Sequence, residues 1–205
     1  MIRGKPLRRL VLTMVVFGAS CIEAQETNPF GAGRLQDAPS IQRAGEPWPV
    51  VPEETWTIPT PDRIFYVAPG GNDEAFGGAD EPWANLQTSL CKLRSGDRLM
   101  VRPGTYTGPF AIDGECRNAP QSKVIEVVGE PGARLIGGPA LGASAGFWNP
   151  VLVVNRSGWV VRGLEVNASA YEGVGVQVLT DGGQTLLRDL VIVESGPTGV
   201  SIGPN

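Results

Sequence analysis

Two arginines, Arg162 and Arg188, hold the same position in two matching segments, Trp159-Val160-Val161-Arg162-Gly163-Leu164-Glu165-Val166 and Thr185-Leu186-Leu187-Arg188-Asp189-Leu190-Val191-Ile192. If the two segments stack as neighbouring strands, their guanidinium groups rise one above the other and can grip successive carboxylates; the plainer role is that of solvated arginines covering strand edges. Glu165 and Asp189, with Glu172 and Asp181, are oxygen donors of the kind a calcium ion takes, although their spacing is not that of an established calcium loop. Asn72, Asp73 and Glu74 stand in a glycine-rich turn and could donate oxygens in the same way, but turn chemistry explains them well. Trp148, between Gly146-Phe147 and Asn149-Pro150, offers a flat apolar face for a sugar ring or for packing against its own chain, whereas Trp159 opens a strand and reads as core.

Composition narrows the chemistry. The 205 residues include no histidine, so a His general base, a His metal ligand and a Ser-His-Asp triad are excluded. Besides Cys21 there are two cysteines, Cys91 and Cys116. Joined, they would close a loop of roughly 25 residues and contribute about 3 kcal/mol by restricting the unfolded chain; two buried free thiols are the alternative. Without histidine they are too few for a zinc site. The chain carries a formal charge of -4 and its segment 1–24 carries +3 (Arg3, Lys5, Arg8 and Arg9 against Glu23), so the remainder carries -7. That balance argues against nucleic acid as a partner. An anionic polymer would need a local basic groove or a bridging cation such as Ca2+.

Residues 1–24 have the pattern of an export signal: a basic start, an apolar core from Leu10 to Phe17 too short to span a bilayer, and small residues Gly18-Ala19-Ser20 with Ala24 for cleavage. The expected location is therefore secreted, periplasmic or cell-envelope. Cys21 directly after Gly18-Ala19-Ser20 is similar to a bacterial lipoprotein box, and membrane association is expected only through lipidation there. Residues 25–62, rich in Pro and Gly, read as a linker, with Trp48 and Trp56 either packing over the first coil or simply punctuating the linker.

The elements that must position these residues are mostly short strands. Ile64–Ala68 reads as a strand, Glu81–Ser95 as a helix capped by Asp80, with Trp83, Leu86, Leu90 and Leu93 on one face and Gly96 at its end. Strands follow at 98–102, 105–107, 110–112, 124–128 and 133–136. The segment that contains Arg162 recurs around Arg188, and Gly175-Val176-Gln177-Val178 recurs as Gly199-Val200-Ser201-Ile202 at nearly the same interval. A repeat of about two dozen residues built from strands and turns means stacked coils. Strict alternation breaks between Val161 and Leu164, which places a bend at Arg162-Gly163 and, by the repeat, at Arg188-Asp189. Val161, Leu164, Val166, Leu187, Leu190 and Ile192 then point inward. The expected fold is all-β: a right-handed parallel β-helix solenoid over residues 63–205, with an N-terminal cap at 63–97 that contains the helix and coils at 98–205. The chain stops at Gly203-Pro204-Asn205 directly after a strand, which reads as an incomplete solenoid.

The runs Tyr66-Val67-Ala68-Pro69-Gly70-Gly71-Asn72-Asp73, Glu81-Pro82-Trp83-Ala84-Asn85-Leu86-Gln87 and Ser95-Gly96-Asp97-Arg98-Leu99-Met100-Val101-Arg102-Pro103-Gly104-Thr105-Tyr106 resemble the opening of the pectate-lyase-like superfamily of secreted β-helix proteins. The resemblance covers about residues 64–205 and is more specific for fold than for activity. It implies a monomer that acts on or binds polysaccharide, with a polysaccharide lyase as the leading expectation. Such a lyase performs β-elimination on a uronate-containing glycan, with calcium or arginine neutralising the uronate carboxylate and Lys or Arg serving as base. No catalytic residue can be assigned from the sequence. The alternative is a non-catalytic cell-surface protein, glycan-binding or structural; an accessory protein for periplasmic metal enzymes is a third reading.

Overall fold

A computed structural model describes residues 9–16, 58–113, 116, 123–138, 150–168, 174–179, 185–193 and 199–203. Cys21, Trp48, Trp56, Trp148, Glu172 and Asp181 lie outside the described residues. The strands in chain order are β1 (Arg9–Val16), β2 (Arg63–Val67), β3 (Asp97–Val101), β4 (Gly104–Thr107), β5 (Phe110–Ile112), β6 (Ile125–Gly129), β7 (Ala133–Ile136), β8 (Leu152–Val154), β9 (Trp159–Arg162), β10 (Glu165–Asn167), β11 (Val176–Val178), β12 (Thr185–Val193) and β13 (Val200–Ile202). Among the described residues one short helix, α1 (Leu86–Lys92), stands between β2 and β3. The described chain is thus mostly β.

The chain visits three rows of strands in rotation, and every pairing among β2–β13 is parallel. The first row is β2-β3-β6-β9 and the start of β12, the second β4-β7-β10 and the end of β12, the third β5-β8-β11-β13. Strands of the first row begin at Asp97, Ile125, Trp159 and Thr185, and the step from Ile125 to Trp159 is longer than those on either side of it. The register pairs Val161 with Leu187, Val166 with Ile192, and Val176 with Val200, the same alignments that the sequence repeats give.

Alternation turns one side chain in two toward the middle, and the parallel register stacks these into columns. Leu99, Val127, Val161 and Leu187 form one; Tyr106, Leu135, Val166 and Ile192 a second; Ile112, Val154 and Val178 a third. All are buried and belong to a single hydrophobic cluster, each contributing about 1.5–3 kcal/mol relative to exposure. Between the first two rows the backbone must turn sharply. Gly163 does so at φ 72° and packs against Gly129, where an added Cβ would lie 2.5 Å from the Gly163 carbonyl oxygen. One round later Asp189 makes the same turn at φ 52°, a left-handed conformation that costs a side chain strain.

The helix differs from its expected extent. Glu81–Ala84 is not helical because its backbone is used elsewhere: Trp83 N donates to the Tyr66 carbonyl and the Trp83 carbonyl accepts from Ala68 N, so the segment pairs with β2. Asp80 is therefore not the cap. Asn85 is, its side-chain oxygen accepting from Thr88 N at 2.9 Å, while Asp73 receives Ala84 N and Asn85 N. The helix ends at Lys92, and Gly96 (φ 85°) turns the chain into β3 instead of capping it. Leu86 and Leu90 on its apolar face, Leu93 just after its end and Trp83 before its start are all buried.

Three links hold α1 across the end of the strand stack. Cys91 and Cys116 form a disulfide. The Gln87 amide both donates to the Ala111 carbonyl and accepts from Ala111 N, each at 2.8 Å, pairing like a strand with the edge of β5. At the other end of the stack β1, the apolar stretch of the expected export signal, lies antiparallel on β12, with Arg9 opposite Val193 and Val16 opposite Thr185.

Tyr106 begins its column with its hydroxyl 3.0 Å from both the Val67 and Arg102 carbonyls. Burial, reinforced by Glu130 and opposed by Arg102, pushes its pKa up to about 12. The folded state then keeps a proton that the unfolded state releases above about pH 10, so stability present below that pH is lost on the way to 12. Urea unfolding between pH 8 and 12 should show the native protein losing on the order of 2 kcal/mol more than Tyr106→Phe; parallel losses would refute this. At the bend, Asp189→Gly should leave stability unchanged or raise it by up to about 1 kcal/mol, whereas Asp189→Val should cost about 2 kcal/mol. Equal unfolding midpoints for the two variants would show that the turn is unstrained.

Candidate functional site

On the outward face of the first row, parallel register lines up charged side chains from four consecutive strands. Arg98 on β3 lies directly across from Glu126 on β6. Arg162 on β9 lies opposite Val128, the next outward position after Glu126, and Arg188 on β12 lies opposite Arg162. Adjacent strands are about 4.8 Å apart, so these side chains form a ladder.

Glu126 is the centre of the ladder. Its side chain is 3% exposed and accepts from two arginines, Arg98 Nε on one oxygen and Arg162 Nε at 2.7 Å on the other. A carboxylate so deeply buried would be costly alone, and charge-assisted bonds to both oxygens offset that cost. Arg98 and Arg162 remain 22% and 34% exposed, so each guanidinium keeps donors facing outward. Arg188 is opposed by Asp189 at 3.3 Å. Like charges directly across a strand pair repel, and here a carboxylate beside each arginine offsets that repulsion. Val160 and Leu186 share the outward side with these groups and are buried too, so the face is not a bare surface.

The two arginines read from the repeat are thus neighbours, as the repeat required, but each already has an acidic partner. Glu165 and Asp189 each have an arginine partner. Glu165, on β10 in the second row, accepts from Arg134 Nε at 2.7 Å, and Asp189 pairs with Arg188 at the bend. Among the described residues no group of three or more His, Cys, Asp or Glu is placed to hold a metal ion. Asn72 and Asp73 are engaged in turn bonding, to Glu74 N and to Ala84 N and Asn85 N. Trp159 is core, 1% exposed, and its indole N–H has no hydrogen-bond partner among the described residues.

Sequence reasoning does not single out Arg98 and Glu126, nor the paired Arg63–Asp97 bridge, in which Asp97 is 1% exposed and bound through both oxygens at 2.8 and 2.9 Å. The usable signal is a lone Glu at an outward position of the apolar strand Ile125–Gly129. Such a residue needs cations on the adjoining strands.

No family model matches the chain. Over 130 residues, 56% of its length, it is 26% identical to pectate lyase L of Dickeya dadantii (strain 3937), of which it covers 28%. Among solved structures, a rhamnogalacturonan lyase matches 60% of this chain with a TM-score of 0.46 and 17% identity, over 34% of that structure's chain. The chain therefore spans about a third or less of these relatives' lengths.

Glu126→Gln keeps the shape but removes the charge between two guanidinium groups. It should lower stability by about 2–3 kcal/mol in urea, and the variant should regain stability with added sulfate more steeply than the native protein. A loss under about 0.5 kcal/mol, the scale of an ordinary surface substitution, with no extra sulfate dependence, would mean the ladder is incidental.

Proposed function

We propose that the three rows are coils of a right-handed parallel β-helix in an exported protein acting on acidic polysaccharide, with the Arg98–Glu126–Arg162–Arg188 ladder as its contact with the polymer. Handedness follows from the strong preference of parallel crossovers for the right-handed form. The observation that carries the reading is the ladder: Arg162 and Arg188 stand in register on adjacent strands, a spacing near the advance of one sugar unit, Arg98 follows beyond Glu126, and an outward guanidinium can meet a uronate carboxylate in bidentate fashion. The similarity to a pectate lyase supports an acidic polymer as the substrate class.

In the whole protein the chemistry would be β-elimination. A base removes the proton α to the uronate carboxylate, the electron pair forms the ring C=C bond, and the β C–O bond breaks as the leaving sugar oxygen takes up a proton. The ladder's part is to withdraw charge from the carboxylate, which makes the α proton more acidic. Calcium would serve the same end by bridging polymer to protein. A second reading has its own support: with Glu126 already paired to two arginines, the ladder is equally suited to holding a glycan without cleaving it.

Incubation with pectate, alginate and chondroitin, with and without Ca2+, should yield unsaturated product absorbing in the ultraviolet on at least one polymer, and Arg162→Ala with Arg188→Ala should weaken retention on that polymer by about tenfold. Retention without product would select the non-catalytic reading. Neither product nor retention on any acidic polymer would end both.

A further inference from the structure

Phe76 is the most exposed large apolar side chain of the described residues, 90% accessible, yet the residues on both sides of it are hydrogen-bonded through their backbone. The Ala75 carbonyl accepts from Trp83 Nε1 at 2.9 Å, and the Gly77 carbonyl accepts from Tyr66 N at 2.8 Å. Gly77 itself (φ 74°) lies so close to the Trp83 ring that an added Cβ would sit 2.5 Å from it. Trp83 is in turn buried and stacked on Phe65 at 4.9 Å. A phenyl ring that could turn inward would gain about 2 kcal/mol by burial; this loop holds it outward on both sides.

The ring borders a hollow of about 580 Å³ formed by the turn after β2 and the segment leading to α1. That volume suits a small ligand. Glu74, Asp80 and Glu81, all carboxylates at its border, line the hollow, and no cationic side chain among the described residues does. Two nearby cations are held outside it, Lys92 on the Asp73 carbonyl and over the Trp83 ring, Arg102 on the Ala79 carbonyl and over the Tyr66 ring.

From this geometry we infer a second glycan site, at the N-terminal end of the strand stack, for a pyranose unit that carries no acidic group, either a neutral sugar or an amino sugar. The apolar face of the pyranose lies on the Phe76 ring, and its hydroxyl or ammonium groups donate to the surrounding carboxylates. A uronate would meet like charge there. The site is of opposite sign to the arginine ladder and does not depend on the reading of that ladder.

Calorimetry on the full chain with glucosamine hexamer, galactose hexamer and galacturonate hexamer tests the inference. At least one of the first two should bind, Phe76→Ala should weaken that binding about tenfold with no change in thermal midpoint, and Phe76→Trp should retain it. Galacturonate binding, if present, should be unaffected by Phe76→Ala. The inference is overturned if neither non-acidic hexamer binds, if Phe76→Ala leaves their binding unchanged or weakens galacturonate equally, or if that variant shifts the thermal midpoint, which would make Phe76 a packing residue.

Discussion

Strands in this protein satisfy their backbone groups on partners one full round of the chain away, and that single requirement dictates most of the remaining structure. Each round must return to the same three rows at the same height, so its corners cannot drift. Between the first and second rows the corner is so tight that Gly129 and Gly163 pack backbone to backbone and Asp189 accepts a left-handed conformation to continue the series. The stretches between strands are under no such requirement. The rounds beginning at Asp97, Ile125 and Trp159 differ in length while their strands keep register. Variation is cheap in the turns and expensive in the rows, which makes turns and outward faces the places where chemistry can be added.

Stacking also fixes how charge is arranged. A charged residue on an outward position is brought within hydrogen-bonding reach of whatever occupies that position on the adjoining strands, so charges must come in complementary sets. Glu126 with Arg98 and Glu165 with Arg134 follow this pattern, Arg162 reaches Glu126 diagonally from the next outward position, and Asp97 with Arg63 pair directly at the start of their strands. Two of these carboxylates, Asp97 and Glu126, are almost fully buried, so the arginines serve the fold first. Donor capacity that the fold leaves outward is suited to a polymer of carboxylates.

How far the sequence could be read follows from the same geometry. The segments that begin at Trp159 and Thr185 match position for position, so their side chains align by simple offset, and the bend, the inward residues and the Arg162–Arg188 adjacency are all legible there. Between Asp97 and Trp159 the steps are unequal, which hides the repeat and with it the partnership of Arg98, Glu126 and Arg162. The helix start misleads for another reason: Asp80 and Pro82 satisfy helix-start chemistry, but Trp83 spends its backbone on β2, a long-range pairing that local rules do not see. Phe76 gives no signal either, because an exposed aromatic in a loop looks like any other loop residue until the bonds fixing its neighbours are known.

Parallel stacks leave raw strand edges at both ends, and the means of closing them bear on where ligands can approach. At the N-terminal end the edge of β2 is met by the backbone of Trp83 and Gly77, and the edge of β5 by the Gln87 amide, with the disulfide and the buried leucines keeping α1 in place. These closures use hydrogen bonds between segments 11 to 24 residues apart. They turn what would be an aggregation-prone edge into a fixed surface with its own relief, the Phe76 hollow among its features. The edge of β12 is closed differently, by an antiparallel strand from residues 9–16. An antiparallel partner matches the hydrogen-bond groups of that edge but cannot continue the parallel rotation through the three rows. In the third row β13 has no part in this pairing, and there Ile202 stands 53% exposed in register with the buried Val178, Val154 and Ile112.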